Sequence, residues 1–167
     1  ALIPYVAYGE KGQPIIYFEG NRNGFVAVSS RSLYREDVYA VIRFSVRQNS
    51  DLRYDVIYEE WAMVDDVLRS TRQPLVFSTP TILFSSVSSP LFEYFGWTSL
   101  LQRDGDGEGG TSPARWLPEY NGLDLRNTPL KLRLKFTTPD GDYNMLSRLS
   151  STSASTLSRY QGSYKKH

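Results

Sequence analysis

The sequence predicts a mainly β protein built as an antiparallel β-sandwich or barrel. Short runs of apolar, β-branched and aromatic residues are separated by Gly, Pro and Asn turn signals along much of the chain. The run LKLRLKF at residues 130–136 alternates strictly between apolar and basic side chains, which is typical of a strand with one buried face. Helical periodicity is rare, so we expect long loops and at most one or two short helices.

The first half of the chain contains the expected core strands. Residues 15–18 and 25–28 are predicted to form a hairpin around a loop at residues 20–24, because Gly and Asn in that loop favour a tight turn. Residues 38–46 (VYAVIRFSV) are β-branched and aromatic but do not alternate strictly. This pattern indicates a strand that is mostly buried.

The signals between residues 52 and 101 are mixed. The segment 52–58 (LRYDVIY) alternates as a strand, whereas residues 60–70 fit a short helix or a turn equally well. Three prolines divide residues 74–101 into pieces too short for ordinary helices: Pro74, Pro80 and Pro90. We expect strand fragments at 75–77 and 81–84, and leave residues 91–95 unassigned.

The last third of the chain combines a loop, a strand and a tail. Residues 102–129 are predicted as one long loop, and a loop of that length in a compact domain is often functional. Beyond residue 149 the sequence is polar and has no periodicity. We therefore expect a single β-sandwich domain over residues 1–149 and a polar, weakly basic tail over residues 150–167.

Composition excludes several kinds of chemistry. The 167 residues include no cysteine, which rules out disulfides, thiol catalysis, thiolate zinc sites and iron–sulfur clusters. The single histidine is the last residue, His167, so histidine-based acid–base catalysis is not expected. The net charge of +1 gives no general reason for nucleic-acid binding. No apolar run reaches the roughly 18 residues of a membrane span. Binding or assembly is therefore expected, and not catalysis.

Two pairs of adjacent acids are the remaining candidates for catalysis. Glu59 with Glu60, or Asp65 with Asp66, could supply the acid and base of a glycosidase. Neighbouring residues point to opposite faces of a strand and diverge by about 100° on a helix, so neither pair converges naturally. We expect solvated surface acids at these positions.

The segment DGDGEG has the spacing of a metal site. Alternate carboxylates at Asp104, Asp106 and Glu108 on a glycine-rich loop could converge on Ca²⁺. The pattern resembles the first half of an EF-hand loop, but Arg115 stands where the bidentate Glu should fall. The prediction is either a calcium site completed by a distant residue or a neighbouring subunit, or an acidic loop without a metal.

The tail is basic in its charged residues. It carries Arg148, Arg159, Lys165 and Lys166, with no acid after Ser147. Such a tail could contact RNA phosphates weakly, or lie over an adjacent subunit. The spread of four charges over this length makes the RNA contact the weaker of the two interpretations.

The segment LKLRLKFTTPDGDYNMLSRL, at residues 130–149, resembles the last strand and following turn of jelly-roll coat proteins of picorna-like viruses. The matching features are the alternating strand, the Gly141-Asp142-Tyr143 turn and the Ser/Thr-rich tail. The start at Ile3-Pro4-Tyr5 is similar to the proline-aromatic entry of those coats. Pro139-Asp140-Gly141 is also a strong turn signal by itself. The resemblance covers a small part of the chain and implies a jelly-roll-like β-sandwich.

The same resemblance implies a structural assembly protein of the virion. Such a capsid or coat subunit, or a protruding domain, has other copies of itself or related coat subunits as partners, and neighbours often share calcium at acidic loops. Trp116 and Tyr120 are the candidate interface or ligand contacts, because exposed aromatics often anchor interfaces. The alternative is an extracellular carbohydrate-binding or adhesive β-sandwich module, in which Trp116 stacks on sugars.

Overall fold

The computed structural model describes residues 1–104 and 112–149, and these residues form a mainly β protein. The strands are β1 (Leu2–Ile3), β2 (Val6–Tyr8), β3 (Pro14–Ile16), β4 (Phe18–Asn21), β5 (Gly24–Ser29), β6 (Ala40–Gln48), β7 (Tyr54–Ala62), β8 (Thr81–Gly96), β9 (Arg115–Leu117), β10 (Tyr120–Asn121), β11 (Lys131–Thr138) and β12 (Gly141–Arg148). The two short helices are α1 (Leu100–Asp104) and α2 (Gly122–Leu125). The predicted fold class is confirmed. Neither helix is long and apolar enough to cross a membrane.

One large antiparallel sheet contains ten of these strands. Its order is β10-β4-β5-β6-β7-β8-β11-β12, with β1 beside β5 and β9 beside β8, while β2 and β3 form a separate ribbon. Most neighbours in the sheet are consecutive in the chain, which makes a meander. A jelly roll consists of Greek keys instead. The strand order therefore differs from the jelly-roll connectivity that the resemblance implied, because short connections let successive strands pair directly.

Strand β8 turns the sheet into two facing layers. Its first part pairs with β7 and its later part pairs with β11, and the register shifts in both ladders. Ser86 and Ser89 have positive φ angles of 54° and 48°. Such bulges bend a strand and increase its twist, and they tolerate a proline such as Pro90. The predicted strand at 81–84 is confirmed within β8. The fragment expected at 75–77 is not a strand.

The main core lies between the two layers and is rich in aromatic rings. Phe25 of β5 stacks on Phe44 of β6 with ring centroids 4.9 Å apart. Phe92 of β8 meets Phe25 edge-on at 5.7 Å, and it is only 1% exposed. Alternate residues of β11, from Leu132 to Phe136, are also buried. This burial confirms the predicted strand at 130–136 and the assignment of its apolar face to the core.

Tyr94 attaches β8 to the hairpin of β4 and β5. Its hydroxyl donates to the carbonyl oxygens of Asn21 at 2.8 Å and Gly24 at 2.7 Å, and its burial raises the pKa of the phenol. Gly20 permits this contact, because a Cβ there would lie 2.4 Å from the tyrosine ring. The predicted hairpin is confirmed only in part: Phe18 pairs with Ala27 of β5, but Ile15 and Ile16 belong to β3 and pair with β2. The hairpin strands also extend into the expected loop, since Asn21 pairs with Gly24.

A second apolar cluster covers the other face of the central strands. Val28 of β5 and Val41 of β6 pack with Leu68 and with the ribbon of β2 and β3. Strand β6 begins at Ala40 instead of residue 38, and Ala40, Val41 and Ile42 are buried on the two faces, as the lack of alternation indicated. Residues 43–46 are only partly buried, and Tyr39 is 49% exposed. The helix considered for residues 60–70 does not form, because β7 continues to Ala62 and the following irregular segment delivers Leu68 to this cluster.

The stretch predicted as one loop, residues 102–129, contains short elements in its described part. Strand β9 pairs with β8, and β10 pairs with β4. Asn121 caps α2 by accepting the Leu123 N–H at 2.9 Å, and Arg126 ends the helix in a left-handed conformation with φ of 49°. The two-residue ladder of β10 and the single turn of α2 are too short to give periodicity, so the sequence did not reveal them.

Candidate functional site

Strand β12 is the last strand of the sheet and the most exposed one. All eight of its residues are exposed, and it pairs only with β11 among the described elements. Three large apolar side chains on it face solvent, with Tyr143 45%, Met145 49% and Leu146 56% exposed. An exposed edge of this kind offers unpaired backbone groups to another strand. We call residues 141–148 the β12 edge.

The two faces of the β12 edge differ in character. Cross-strand partners share a face of the sheet, so the pairing with β11 assigns each side chain. Tyr143 and Met145 lie opposite the buried Phe136 and Leu134 and continue the core face. The Tyr143 ring stacks on Phe136 with centroids 5.3 Å apart. The outer face carries Asp142, Asn144, Leu146 and Arg148.

An open groove of about 540 Å³ lies beside the core face of the β12 edge. Residues of both layers of the curled sheet border it. Apolar side chains dominate its lining, among them Phe25, Phe44, Phe84, Leu134 and Met145. We call it the apolar groove. Apolar surface of this kind next to a free strand edge is typical of a protein contact site.

The outer face of the same layer carries a network of charged and aromatic side chains. Glu93 accepts from Arg133 at 2.7 Å and contacts Lys135 at 2.8 Å. The hydrogen bond from Arg133 lowers the pKa of the Glu93 carboxyl below its ordinary value, although burial opposes this effect. The Arg133 guanidinium lies 4.0 Å from the ring centroid of Trp116. This network holds β8, β9 and β11 together on their outer side.

The structure separates the two predicted aromatic contacts. Trp116 is half-buried, with Arg133 over its ring and Phe95 at 5.3 Å. Tyr120 is 3% exposed, meets Phe18 edge-on at 5.8 Å and donates its hydroxyl to the Thr128 carbonyl at 3.2 Å. Tyr120 is a core residue, so its prediction as a contact is corrected. The pairing of β10 with β4 turns its ring inward, where a loop was expected.

Glu59 and Glu60 were predicted as solvated surface acids, and the structure corrects this prediction. They point to opposite faces of β7, as expected, but they are only 6% and 3% exposed. Glu59 lies opposite Arg43 in the ladder and forms an ion pair with it at 2.9 Å. The Arg43 guanidinium also lies 4.1 Å from the ring centroid of Phe77. A cross-strand partner thus allows the carboxylate to be buried.

Glu60 anchors the loop that follows β5. Its carboxylate accepts the Ser32 hydroxyl, the Leu33 N–H at 2.7 Å and the Tyr58 hydroxyl at 2.5 Å. Burial disfavours the charged form, but these hydrogen bonds outweigh it and lower the pKa of the carboxyl below its ordinary value. Burial raises the pKa of the Tyr58 phenol, and the hydrogen bond to Glu60 raises it further. Every oxygen of Glu60 has a donor within the protein, which indicates a structural role.

The predicted calcium ligands are described only in part. Asp104 is exposed, and Arg103 holds both of its carboxylate oxygens at 2.6 and 2.7 Å. This pairing lowers the pKa of the Asp104 carboxyl. Asp106 and Glu108 lie outside the described residues. Within residues 1–104 and 112–149, no group of three acidic or histidine side chains is placed to hold a metal ion.

Among the predicted tail contacts, only Arg148 lies in the described part of the chain. It is the last residue of β12 and is exposed, so it belongs to the β12 edge. Arg159, Lys165 and Lys166 fall outside the described residues. The β12 edge and the apolar groove together form the candidate functional site. Comparisons with protein families, curated proteins and solved structures found no match to this chain.

Proposed function

We propose that this chain is a structural assembly protein that binds other copies of itself or related subunits. The observation that carries the proposal is the β12 edge, whose eight residues are all exposed beside the apolar groove. Natural sheets usually shield such an edge with charges, prolines or a covering segment. An edge that presents Tyr143, Met145 and Leu146 is instead suited to receive another strand.

The finer form of the proposal is a capsid or coat subunit, or a protruding domain, located in the virion. It is supported by the two-layered β architecture and by the resemblance of residues 130–149 to viral coat proteins. That segment comprises β11, the Pro139–Asp140 turn and the β12 edge. The proposed contact therefore lies in the segment that carries the resemblance.

Internal partners of the charged and aromatic side chains support assembly over the competing functions. Glu59, Glu60 and Glu93 each bind groups of the protein itself, which is unlike a pair of free catalytic carboxylates. Trp116 carries the Arg133 guanidinium on its ring, whereas sugar stacking needs an open aromatic face. On the β12 edge, by contrast, Met145 and Leu146 are 49% and 56% exposed, so their apolar surface is available to a partner.

The proposal is tested by the mass of the full chain in solution. Sedimentation velocity is measured from low micromolar to near-millimolar concentration, in buffer with calcium and in buffer with a chelator. We expect the mass to rise above that of the monomer as concentration increases. A monomer at every concentration in both buffers contradicts the proposal. Electron microscopy of the assembled fraction then tests the coat function, since closed shells support it and dimers without larger particles contradict it.

A further inference from the structure

Alternate residues of β12 direct their backbone groups away from the protein. Leu149, just after the strand, donates its N–H to the Leu130 carbonyl at 3.0 Å. In an antiparallel ladder, residues that bond to one neighbouring strand alternate with residues whose N–H and C=O point to the other side. The outward set is therefore Asp142, Asn144, Leu146 and Arg148. No described strand pairs with them on that side.

The outward set has an acid at one end and a base at the other. Asp142 accepts the Thr137 hydroxyl at 2.6 Å and is exposed. Arg148 lies directly opposite Lys131, and like charges at such positions are unfavourable. Glu93, the acid on the same face of this layer, already binds Arg133 and Lys135. An acid from outside the chain would therefore stabilise the Arg148 end of the strand.

A strand with this charge order is complementary to its own copy in the antiparallel direction. We propose that β12 pairs with β12 of a second copy across a twofold axis, with Asp142 of each chain opposite Arg148 of the other. Asn144 then lies opposite Leu146, and Met145 lies opposite its own counterpart at the axis. Each residue whose backbone N–H and C=O point outward then lies opposite another such residue of the second copy, so the two can exchange hydrogen bonds. The contact is isologous, and it rests on the proposed assembly function.

Charge selects this register among the antiparallel ones. A shift by one residue would set outward backbone groups against inward ones and break the ladder. A shift by two residues keeps the ladder but separates Asp142 from Arg148. In the proposed register both ion pairs form on the outer face. On the core face the exposed Tyr143 and Met145 come under cover from the second copy, and the sheet continues across both chains.

Charge exchange at the ends of β12 tests the pairing. In Asp142→Arg or Arg148→Asp, both symmetry-related ion pairs become like-charge contacts. We expect each single variant to dimerise about tenfold more weakly than the parent or worse. The double variant restores the complementary order and should recover. An equimolar mixture of the two single variants should form heterodimers. In a heterodimer the two basic ends of the Asp142→Arg chain lie opposite the two acidic ends of the Arg148→Asp chain. Single variants that assemble as tightly as the parent overturn the proposed pairing.

Cysteine cross-linking tests the register, because the chain has no cysteine of its own. Met145→Cys places the new thiol at the twofold axis, where it meets its counterpart, so mild oxidation should yield a covalent dimer. Tyr143→Cys is the matched control on the same face of the same strand. Its counterpart lies about four residues away along the ladder, roughly 13 Å, so it should not cross-link. Efficient cross-linking of Tyr143→Cys without that of Met145→Cys overturns the register.

The failure of this inference differs from that of the assembly function. A parent chain that stays monomeric contradicts both. A parent chain that assembles while Asp142→Arg and Arg148→Asp assemble equally well contradicts only the β12 pairing, and the contact then lies elsewhere. Both residues are exposed, so the variants should keep the melting temperature of the parent. An unchanged melting temperature shows that lost assembly is not lost folding.

Discussion

Strands β6 and β12 belong to the same sheet but have opposite environments. Ala40, Val41 and Ile42 of β6 are at most 5% exposed, because one face lies in the main core and the other under the second apolar cluster. Every residue of β12 is exposed. The buried side chains of β6 stabilise the fold, whereas β12 leaves apolar side chains and backbone groups exposed to a partner. The folded core and the proposed partner contact therefore lie on different strands, and substitutions should separate them.

The largest expected loss of stability is at the centre of the main core. Phe92→Ala removes a ring that packs edge-on against Phe25 and Phe44, and it should lower the free energy of unfolding by about 4 kcal/mol. Leu146→Ala on the β12 edge is the control and should change it by less than about 0.5 kcal/mol. Denaturant unfolding measures both. Equal losses in the two variants would contradict the difference between the regions.

A smaller loss of stability is expected at Glu60, the buried acid that binds the loop after β5. Glu60→Gln places an amide among donors that now bind a carboxylate, and it should lower the free energy of unfolding by about 2 kcal/mol. Glu36→Gln, at an exposed acid in the segment between β5 and β6, should have little effect. Denaturant unfolding of both variants at neutral pH measures the two changes in the free energy of unfolding. A stable Glu60→Gln would show that the anchor is dispensable.

Acid should weaken the folded state through Glu60 and Glu93. Both carboxyls have pKa values below their ordinary 4.5 in the folded protein. Their contribution is therefore complete above the unfolded-state pKa, and it is lost as the pH falls through the folded-state values. We expect stability to decline below about pH 4.5. Glu93→Gln should reduce the slope of that decline in pH-dependent thermal melts, and an unchanged slope would contradict the assignment of Glu93.

The smallest effect on stability is expected at the β12 edge itself. Met145→Lys places a cation at an exposed position, so the free energy of unfolding should stay within about 0.5 kcal/mol. Assembly should weaken, because two like charges would meet at the proposed twofold axis. Val76→Lys, at a side chain 84% exposed outside the described strands, is the control and should leave assembly unchanged. Sedimentation and thermal melts distinguish these results.

Sequence patterns predicted the regular strands better than they predicted the site. The alternation of residues 130–136 correctly gave β11 and its buried face. The strand expected at 52–58 is confirmed, although it begins at Tyr54 and continues to Ala62. Of the described contact candidates, Arg148 lies on the β12 edge, whereas Tyr120 is buried. A tyrosine in a polar stretch carries no local signal for the strand beside it.

Composition and local periodicity by themselves determined the mainly β class, the absence of thiol chemistry and the inward face of β11. These properties depend on neighbours along the chain. Tertiary structure alone decided that Glu59 and Glu60 are buried, that β8 bends through its bulges, and that no strand of the described residues covers the outer side of β12. Burial depends on which strand lies alongside, and that pairing joins residues distant in the sequence. An exposed edge therefore becomes visible only when the whole sheet is formed.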